Sequence, residues 1–273
     1  MTRLRAHLDG LRTRGDKALG LFLTSGFPTP DATLPILRAV ADHADFVELG
    51  MPFSDPVAEG LPIQMASERA LRQGATMETT LATAAAFRAA TDTPLVLMGY
   101  ANPVLRYGVA AFCAAAAGAG VAGLILPDLP PEESGALEAE AAARGIAVTH
   151  LVAPNTPDDR VGLVAARSTG FVYAVSVTGL TGSGLADAGD TAAYLRRARR
   201  LAGDLPLLVG FGIASESDAA RLAADADGVI VGSALIRLVE RLWDAPALTD
   251  DDRLAQTAAF AAALKRGATS ASR

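Results

Sequence analysis

The residues from Phe46 to Gly60 read FVELGMPFSDPVAEG, and this stretch carries the clearest signals for both the fold and the chemistry of the chain. It opens as an apolar run and then enters a loop broken by prolines and glycine. A continuously apolar run is typical of a parallel strand that is buried on both faces. Glu48 nevertheless lies inside the run, and a second acid, Glu59, follows in the loop. The stretch therefore predicts a buried strand with one carboxyl group in it and another just beyond its end.

Similar apolar runs recur along the whole chain, and Ala/Leu/Arg-rich helical patterns separate most of them. Alternating strands and helices indicate a parallel sheet covered by helices, and eight such strands predict a closed (β/α)8 TIM barrel of the α/β class. We expect one barrel domain over 1–266 with an extra N-terminal helix and with long loops at about 50–67 and 178–190, after strands 2 and 6. The tail at 267–273 is predicted to be disordered. The runs are 19–24, 46–49, 95–98, 123–126, 147–152, 172–175, 207–210 and 228–231.

Composition narrows the class of protein further. The chain has 273 residues, 51% of them hydrophobic, and a net charge of −6. Its one dense basic run, 196–200, reads as a solvated helix face more readily than as a nucleic-acid site. Cys113 is the single cysteine, so no internal disulfide can form, and we expect a cytoplasmic protein. The uncharged stretch 109–126 reaches the lower length limit of a membrane span, but its glycines favour a buried helix, a turn and a short strand.

Several catalytic chemistries find no suitable residues in the sequence. The only lysines, Lys17 and Lys265, are predicted away from the barrel mouth, which disfavours a Schiff base. The three histidines lie in separate elements without metal-ligand spacing, so we expect no metal site. Cys113 sits in an apolar helical pattern, where its thiol should stay protonated. The G-x-G-x-x-G pattern at 118–123 follows a helix and precedes a strand, the reverse of a dinucleotide fingerprint.

Carboxyl groups and glycine turns remain as candidates. Burial in a strand should raise the pKa of Glu48 toward neutrality and let it give and take protons, although a structural glutamate satisfied by hydrogen bonds is the alternative. Glu59, in the loop, should be more solvated, have the lower pKa and be ionised. The glycines at 210–212 and 232–234 follow strands 7 and 8, where barrel enzymes often bind a phosphate, although they also suit simple tight turns.

With these residues in place, the chain resembles the tryptophan synthase alpha-subunit family nearly from end to end. The stretch quoted first is the most specific match. Four further motifs match in family order, together with Gly210-Phe211-Gly212 and Gly232-Ser233. These motifs are FLTSG at 22–26, YANPV at 100–104, PDLP at 127–130 and VTGLTG at 177–182.

The resemblance implies retro-aldol cleavage of indole-3-glycerol phosphate to indole and glyceraldehyde 3-phosphate, without a metal or a cofactor on this chain. It also implies a beta subunit as partner, which would carry pyridoxal phosphate, in an alpha2beta2 complex. By resemblance, Glu48 and Glu59 are the catalytic residues and Thr181 belongs to a lid. The remaining positions implied by resemblance are Phe22, Met98, Tyr100, Tyr173 and Phe211 around the indole, Gly182, Gly212, Gly232 and Ser233 at the phosphate, and Pro52, Phe53, Asp55 and Asn102 at the partner.

Three positions depart from the family pattern. Glu59 replaces a usual aspartate, Phe27 also replaces an aspartate, and Leu61-Pro62 replaces a usual Pro-Thr. Because a glutamate is one methylene longer, either the loop must sit back or the side chain must fold. Two other functions therefore stay open at this stage: a lyase that acts alone and releases indole, and a non-catalytic barrel that only activates a beta subunit.

Overall fold

Eight parallel strands close into a barrel in the order in which they occur along the chain, as the sequence predicts. The computed structural model describes residues 1–175, 188–210 and 212–271. All eight strands agree with the predicted runs to within one residue at each end. The strands are β1 (Ala18–Thr24), β2 (Phe46–Gly50), β3 (Leu95–Met98), β4 (Gly123–Ile125), β5 (Ala147–Val152), β6 (Val172–Val175), β7 (Leu207–Gly210) and β8 (Gly228–Val231).

Twelve helices within the described residues surround the strands, and one of them precedes β1, which confirms the extra N-terminal helix. They are α1 (Arg3–Thr13), α2 (Pro30–Ala41), α3 (Leu61–Arg72), α4 (Met77–Ala90), α5 (Ala101–Tyr107), α6 (Val109–Gly118), α7 (Gly135–Ala142), α8 (Asp158–Arg167), α9 (Ala188–Leu201), α10 (Glu216–Ala223), α11 (Ser233–Trp243) and α12 (Asp250–Ser270).

Large side chains and glycines alternate around the barrel interior. The Phe46 ring fills the space over Gly20, because a Cβ at that glycine would lie 2.4 Å from the ring. At the N-terminal end of the barrel, the Leu4 side chain of α1 packs against Gly123 and Gly170. Leu4 is fully buried, so α1 closes this end of the barrel with an apolar plug. The other end, where the strands finish, is left for the loops that follow them.

The loops differ from the sequence prediction in length. Helix α3 begins at Leu61, so the loop after β2 covers only 51–60, since Pro62 in the first turn suits a helix start. The predicted loop after strand 6 falls mostly at 176–187, which lies outside the described residues. The uncharged stretch 109–126 is divided as predicted into α6, a turn and β4. In the part of the chain that the structure describes, no helix is long and apolar enough to cross a membrane.

The predicted disordered tail is wrong for the residues up to 271. Helix α12 continues through Ser270, and Gly267 and Ala268 are buried in it. The backbone at Gly267 lies against helix α10, since a Cβ there would come 2.1 Å from the carbonyl oxygen of Glu216. Composition rich in glycine, alanine and serine suggested disorder, but small residues are what this close helix contact requires.

This contact predicts opposite effects for two helical glycines. Gly267→Ala should lower the free energy of unfolding by about 1–3 kcal/mol, because the added methyl meets backbone that cannot move aside freely. Gly162→Ala in α8 has nothing within 4 Å, so it should raise that free energy by up to about 1 kcal/mol through helix propensity. Urea unfolding of both variants tests this. Equal effects of the two changes would contradict the close packing of α12 on α10.

Candidate active site

Glu48 lies inside the barrel wall with no exposed surface. In the register of β2 it stands beside Phe22 of β1 and Val96 of β3. Its relative exposure is 0%, and within the described residues neither carboxyl oxygen has a hydrogen-bond partner. Burial raises the pKa of Glu48 from the ordinary 4.5 to about 8. The side chain is therefore mainly protonated at neutral pH and can donate a proton. The alternative of a glutamate satisfied by hydrogen bonds finds no support among these residues.

Glu59 is more buried than its position in a loop predicts. Its relative exposure is only 5%. Burial raises its pKa to about 7, against the opposing effect of its own backbone N–H and that of Ala58, while the charge of Asp128 raises it further. The predicted order of the two pKa values, with Glu59 below Glu48, agrees with the structure. Glu59 is more exposed than Glu48, as predicted, but at 5% it is still buried. With a pKa of about 7 it is only about half ionised at neutral pH, so the expected ionised carboxylate is only partly present.

The Glu59 side chain folds back toward its own backbone. The carboxyl group turns back to the N–H groups of Glu59 and Ala58, and its Oε2 has no partner within the described residues. Gln64 fixes the loop from α3, since its Nε2 donates to the carbonyl oxygens of Glu59 at 2.9 Å and Pro56 at 3.2 Å. The hydroxyl of Thr24, at the end of β1, is also buried without a partner in the described part of the chain. Such groups are rare in native proteins and cluster where chemistry is done.

The predicted indole-pocket residues that the structure describes come from β1, β3 and β6 and from the position just before α5. Phe22, Met98, Tyr100 and Tyr173 are all buried. The phenol of Tyr173 lies against Gly210, where a Cβ would come 2.1 Å from the Tyr173 oxygen. Burial, followed by the charges of Glu48 and Glu59, raises the pKa of Tyr173 well above 10, so the phenol stays protonated. Phe211 lies outside the described residues.

The phosphate residues predicted after strands 7 and 8 have the expected backbone character. Gly212 has a φ of 74°, a conformation that suits glycine, and Gly232 precedes Ser233, the first residue of α11. The N–H groups at the start of this eleven-residue helix can bind an anion. Gly182 and the lid residue Thr181 lie outside the described residues.

Sequence reasoning missed Ile63. A Cβ at Gly232 would lie 3.4 Å from Ile63 Cδ1 and 3.5 Å from Phe22 Cβ. The start of α11 is therefore in contact with the apolar wall that Phe22 belongs to. Ile63 is 7% exposed in the first turn of α3. The sequence offered no signal for Ile63 beyond its place shortly after the loop that carries Glu59.

The loop that carries Glu59 is also held by Tyr100. The Tyr100 hydroxyl accepts a hydrogen bond of 2.9 Å from the N–H of Ala58, and its ring stacks on Phe53 with 5.1 Å between the ring centroids. Of the positions predicted to contact a partner, Pro52 and Phe53 are half-buried. Asp55 and Asn102 are exposed.

The lysines and the cysteine, which the sequence disfavours as catalytic residues, have other surroundings in the structure. Lys17 donates to the carbonyl oxygen of Ala226 and Lys265 pairs with Asp45, each next to the beginning of a strand and not its end. Cys113 is buried, and burial raises the pKa of its thiol. The described residues contain no cluster of three or more potential metal ligands.

Phe27, one of the departures from the family pattern, is buried with the guanidinium of Arg69 5.5 Å from its ring centre. Leu61, another departure, is exposed at the start of α3. Neither brings a further polar group to Glu48 or Glu59. Glu59 is thus the departure with a direct effect on the candidate site.

A closed (β/α)8 barrel with two desolvated carboxyl groups of different pKa, one within β2 and one in the loop that follows it, defines an acid–base enzyme of the barrel class. Comparisons with known proteins agree. The family model described as "Tryptophan synthase alpha chain" matches residues 8–268. The tryptophan synthase alpha chains of Geobacter sp. (strain M21) and Citrifermentans bemidjiense are 43% and 42% identical to this chain over 277 aligned residues, with all of both proteins covered.

Solved structures give the same result. Tryptophan synthase subunit alpha from Legionella pneumophila str. Paris is 34% identical, with a TM-score of 0.89 and 98% of each chain covered. A structure of Mycobacterium tuberculosis tryptophan synthase gives 36% identity and a TM-score of 0.87, again over 98% of each chain. The chain belongs to the tryptophan synthase alpha chain family, and it is a carbon–carbon lyase of tryptophan biosynthesis.

The burial of Glu48 predicts a specific pH dependence of stability. Between pH 4.5 and about 8 the unfolded chain releases the Glu48 proton while the folded chain keeps it, so this group's contribution to stability falls as pH rises. Glu48→Gln removes that loss. Across this window, the free energy of unfolding of the variant relative to that of the parent should rise by at most about 1.4 kcal/mol per pH unit. Urea unfolding at several pH values measures this difference. Glu68→Gln, at an exposed position of α3, is the control, and a parallel pH course of Glu48→Gln and parent would contradict the burial effect.

Proposed function

We propose that this chain cleaves indole-3-glycerol phosphate to indole and D-glyceraldehyde 3-phosphate, with Glu48 and Glu59 as the acid–base pair. The observation that supports this most strongly is the pair of buried carboxyl groups with unpartnered oxygens and pKa values of about 8 and about 7. At neutral pH the group with the higher pKa is mainly protonated, while the other is about half ionised. A donor and an acceptor are thus present together.

The proton balance of the reaction fits these two states. Protonated Glu48 donates its proton to C3 of the indole, and a positive charge develops on the ring. Ionised Glu59 accepts a hydrogen bond from the indole N–H and thereby stabilises this charge. The Glu48 carboxylate then takes the proton of the glycerol hydroxyl next to C3. The bond between C3 and the glycerol chain breaks, its electrons restore the indole ring, and the hydroxyl carbon becomes the aldehyde. Glu48 ends protonated, so the cycle needs no external proton.

The surrounding residues take supporting roles in this proposal. Phe22, Met98, Tyr100 and Tyr173, with Ile63, form the apolar surroundings of the indole, and Phe211 is proposed there as well. The N–H groups at Gly212, Gly232 and Ser233, together with Gly182, bind the phosphate, while Thr181 belongs to the lid. The contact of Gly232 with Phe22 and Ile63 supports the placement of phosphate and indole side by side. This chain acts without a cofactor, and pyridoxal phosphate belongs to the partner.

We further propose that the partner is a tryptophan synthase beta subunit in an alpha2beta2 complex, and that the enzyme is cytoplasmic. The loop at 51–60, the start of α3, and α5 carry exposed apolar side chains: Val57 is 73%, Leu61 63% and Leu105 63% exposed. The Tyr100–Ala58 hydrogen bond joins this loop to the residue before α5. Exposed apolar side chains grouped in this way are typical of an interaction surface. The same surface argues against a lyase that acts alone.

The acid–base assignment predicts a bell-shaped pH profile for kcat/KM, highest between about pH 7 and 8. Activity falls at lower pH because Glu59 becomes protonated, and it falls at higher pH because Glu48 ionises. Glu48→Gln should lower kcat by ~10²–10⁴-fold, leave KM within a few-fold, and remove the alkaline limb. The assay is indole release from indole-3-glycerol phosphate, with Glu68→Gln as control. A parent that releases no indole with or without a beta subunit would favour the non-catalytic activator.

The docking surface makes a separate prediction. Leu105→Glu should weaken binding to a tryptophan synthase beta subunit at least about tenfold, because a charge replaces an exposed apolar anchor. Leu163→Glu, at an exposed leucine of α8, should leave binding unchanged. Titration calorimetry with a purified beta subunit measures both. Equal affinity of the two variants would place the partner elsewhere, and loss of binding in both would point to a general change of the fold.

A further inference from the structure

Helix α5 is capped from a different part of the chain. Its N-cap residue, Tyr100, makes no side-chain capping bond. The carboxylate of Asp128, in the loop after β4, instead accepts the Ala101 N–H at 3.0 Å and 3.2 Å through its two oxygens. A carboxylate at this position satisfies an otherwise orphaned N–H group and complements the helix dipole. The backbone that carries Tyr100 is thus held by Asp128.

The contacts continue from Tyr100 to the loop acid. The Tyr100 hydroxyl accepts the Ala58 N–H at 2.9 Å, and Ala58 directly precedes Glu59. The same Ala58 N–H interacts with the Glu59 carboxyl group. Phe53, from the beginning of the loop, stacks on the Tyr100 ring. Three segments that are distant in sequence therefore meet at one peptide N–H beside Glu59.

From this geometry we infer that Asp128 is a positioning residue for Glu59, acting through the capped start of α5 and the Tyr100 hydroxyl to hold the loop that carries the acid. The inference rests on the proposed function, since it assigns Asp128 to the same reaction. Asp128 does not need to touch the substrate in this role. Displacing Glu59 by about an ångström would be enough to cost roughly a hundredfold in rate.

Electrostatics supports the same arrangement. The charge of Asp128 raises the pKa of Glu59, as a smaller contribution than burial. The other ionisable groups around this site are Glu48 from β2 and Tyr173 from β6, whose own pKa is raised partly by both glutamates. Asp55, in the same loop, is exposed. Asp128 thus both holds the loop and favours the protonated form of Glu59.

Two substitutions at Asp128 separate the mechanical effect from the charge effect. Asp128→Asn keeps an oxygen for the Ala101 N–H but removes the charge. The Ala58 amide resonance should therefore stay in place while the Glu59 pKa falls somewhat below about 7 and stays raised by burial. Asp128→Ala removes both, so the Ala58 amide should shift and kcat/KM should fall by up to about a hundredfold. Amide and carboxyl NMR titrations measure the first two quantities, and the indole-release assay measures the third.

Tyr100→Phe completes a double-mutant cycle, because it removes the acceptor for Ala58 and keeps the ring on Phe53. If Asp128 acts through Tyr100, Asp128→Ala with Tyr100→Phe loses no more activity than the larger single change. Thr249→Ala, which removes the cap of α12, is the control for stability and should leave the Ala58 amide unmoved. The inference would be overturned if the activity losses of the two single variants multiplied in the double variant. It would also be overturned if the Ala58 amide resonance did not move in Asp128→Ala. Absence of cleavage by the parent would instead refute the proposed function, because the NMR readouts need no activity.

Discussion

The structure depends on one constraint: a carboxyl group has to be kept inside the wall of a closed barrel. An ionised carboxylate without partners is too costly to bury, so Glu48 stays protonated up to a pKa of about 8. The barrel provides the desolvation because β2 has neighbours on both sides, Phe22 on β1 and Val96 on β3. The feature that weakens the fold is the same one that prepares Glu48 to donate a proton at neutral pH.

The neighbours of Glu48 divide the remaining work. Glycines at 50 and 210 leave room for the rings of Phe22 and Tyr173, so aromatic side chains fill the space around the acid. The loop after β2 brings the second acid, Glu59, held by bonds from Gln64 and Tyr100 that come from other elements. A rigid wall thus carries the proton donor, and a supported loop carries the group that meets the indole N–H in the proposed reaction.

The sequence was sufficient for the barrel because buried parallel strands are continuously apolar, and all eight predicted strands agree with the structure to within one residue. The burial of Glu48 was predictable for the same reason, since its strand fixes its surroundings. The burial of Glu59 was not, because the loop that carries it is held by Gln64 of α3 and by Tyr100, which is 42 residues away from Ala58. The helical end of the chain was missed because the small residues that suggest disorder also allow α12 to touch the backbone of Glu216.

The role of Glu48 as proton donor requires that its carboxyl group be protonated at neutral pH. The most direct measurement is a ¹³C NMR titration of its side-chain carboxyl carbon, assigned by the resonance that disappears in Glu48→Gln. A protonated Glu48 should titrate with a midpoint at about 8, above the midpoint of Glu59 at about 7. A midpoint for Glu48 near the ordinary value of 4.5 would contradict it, because the carboxyl group would then be ionised and unable to donate.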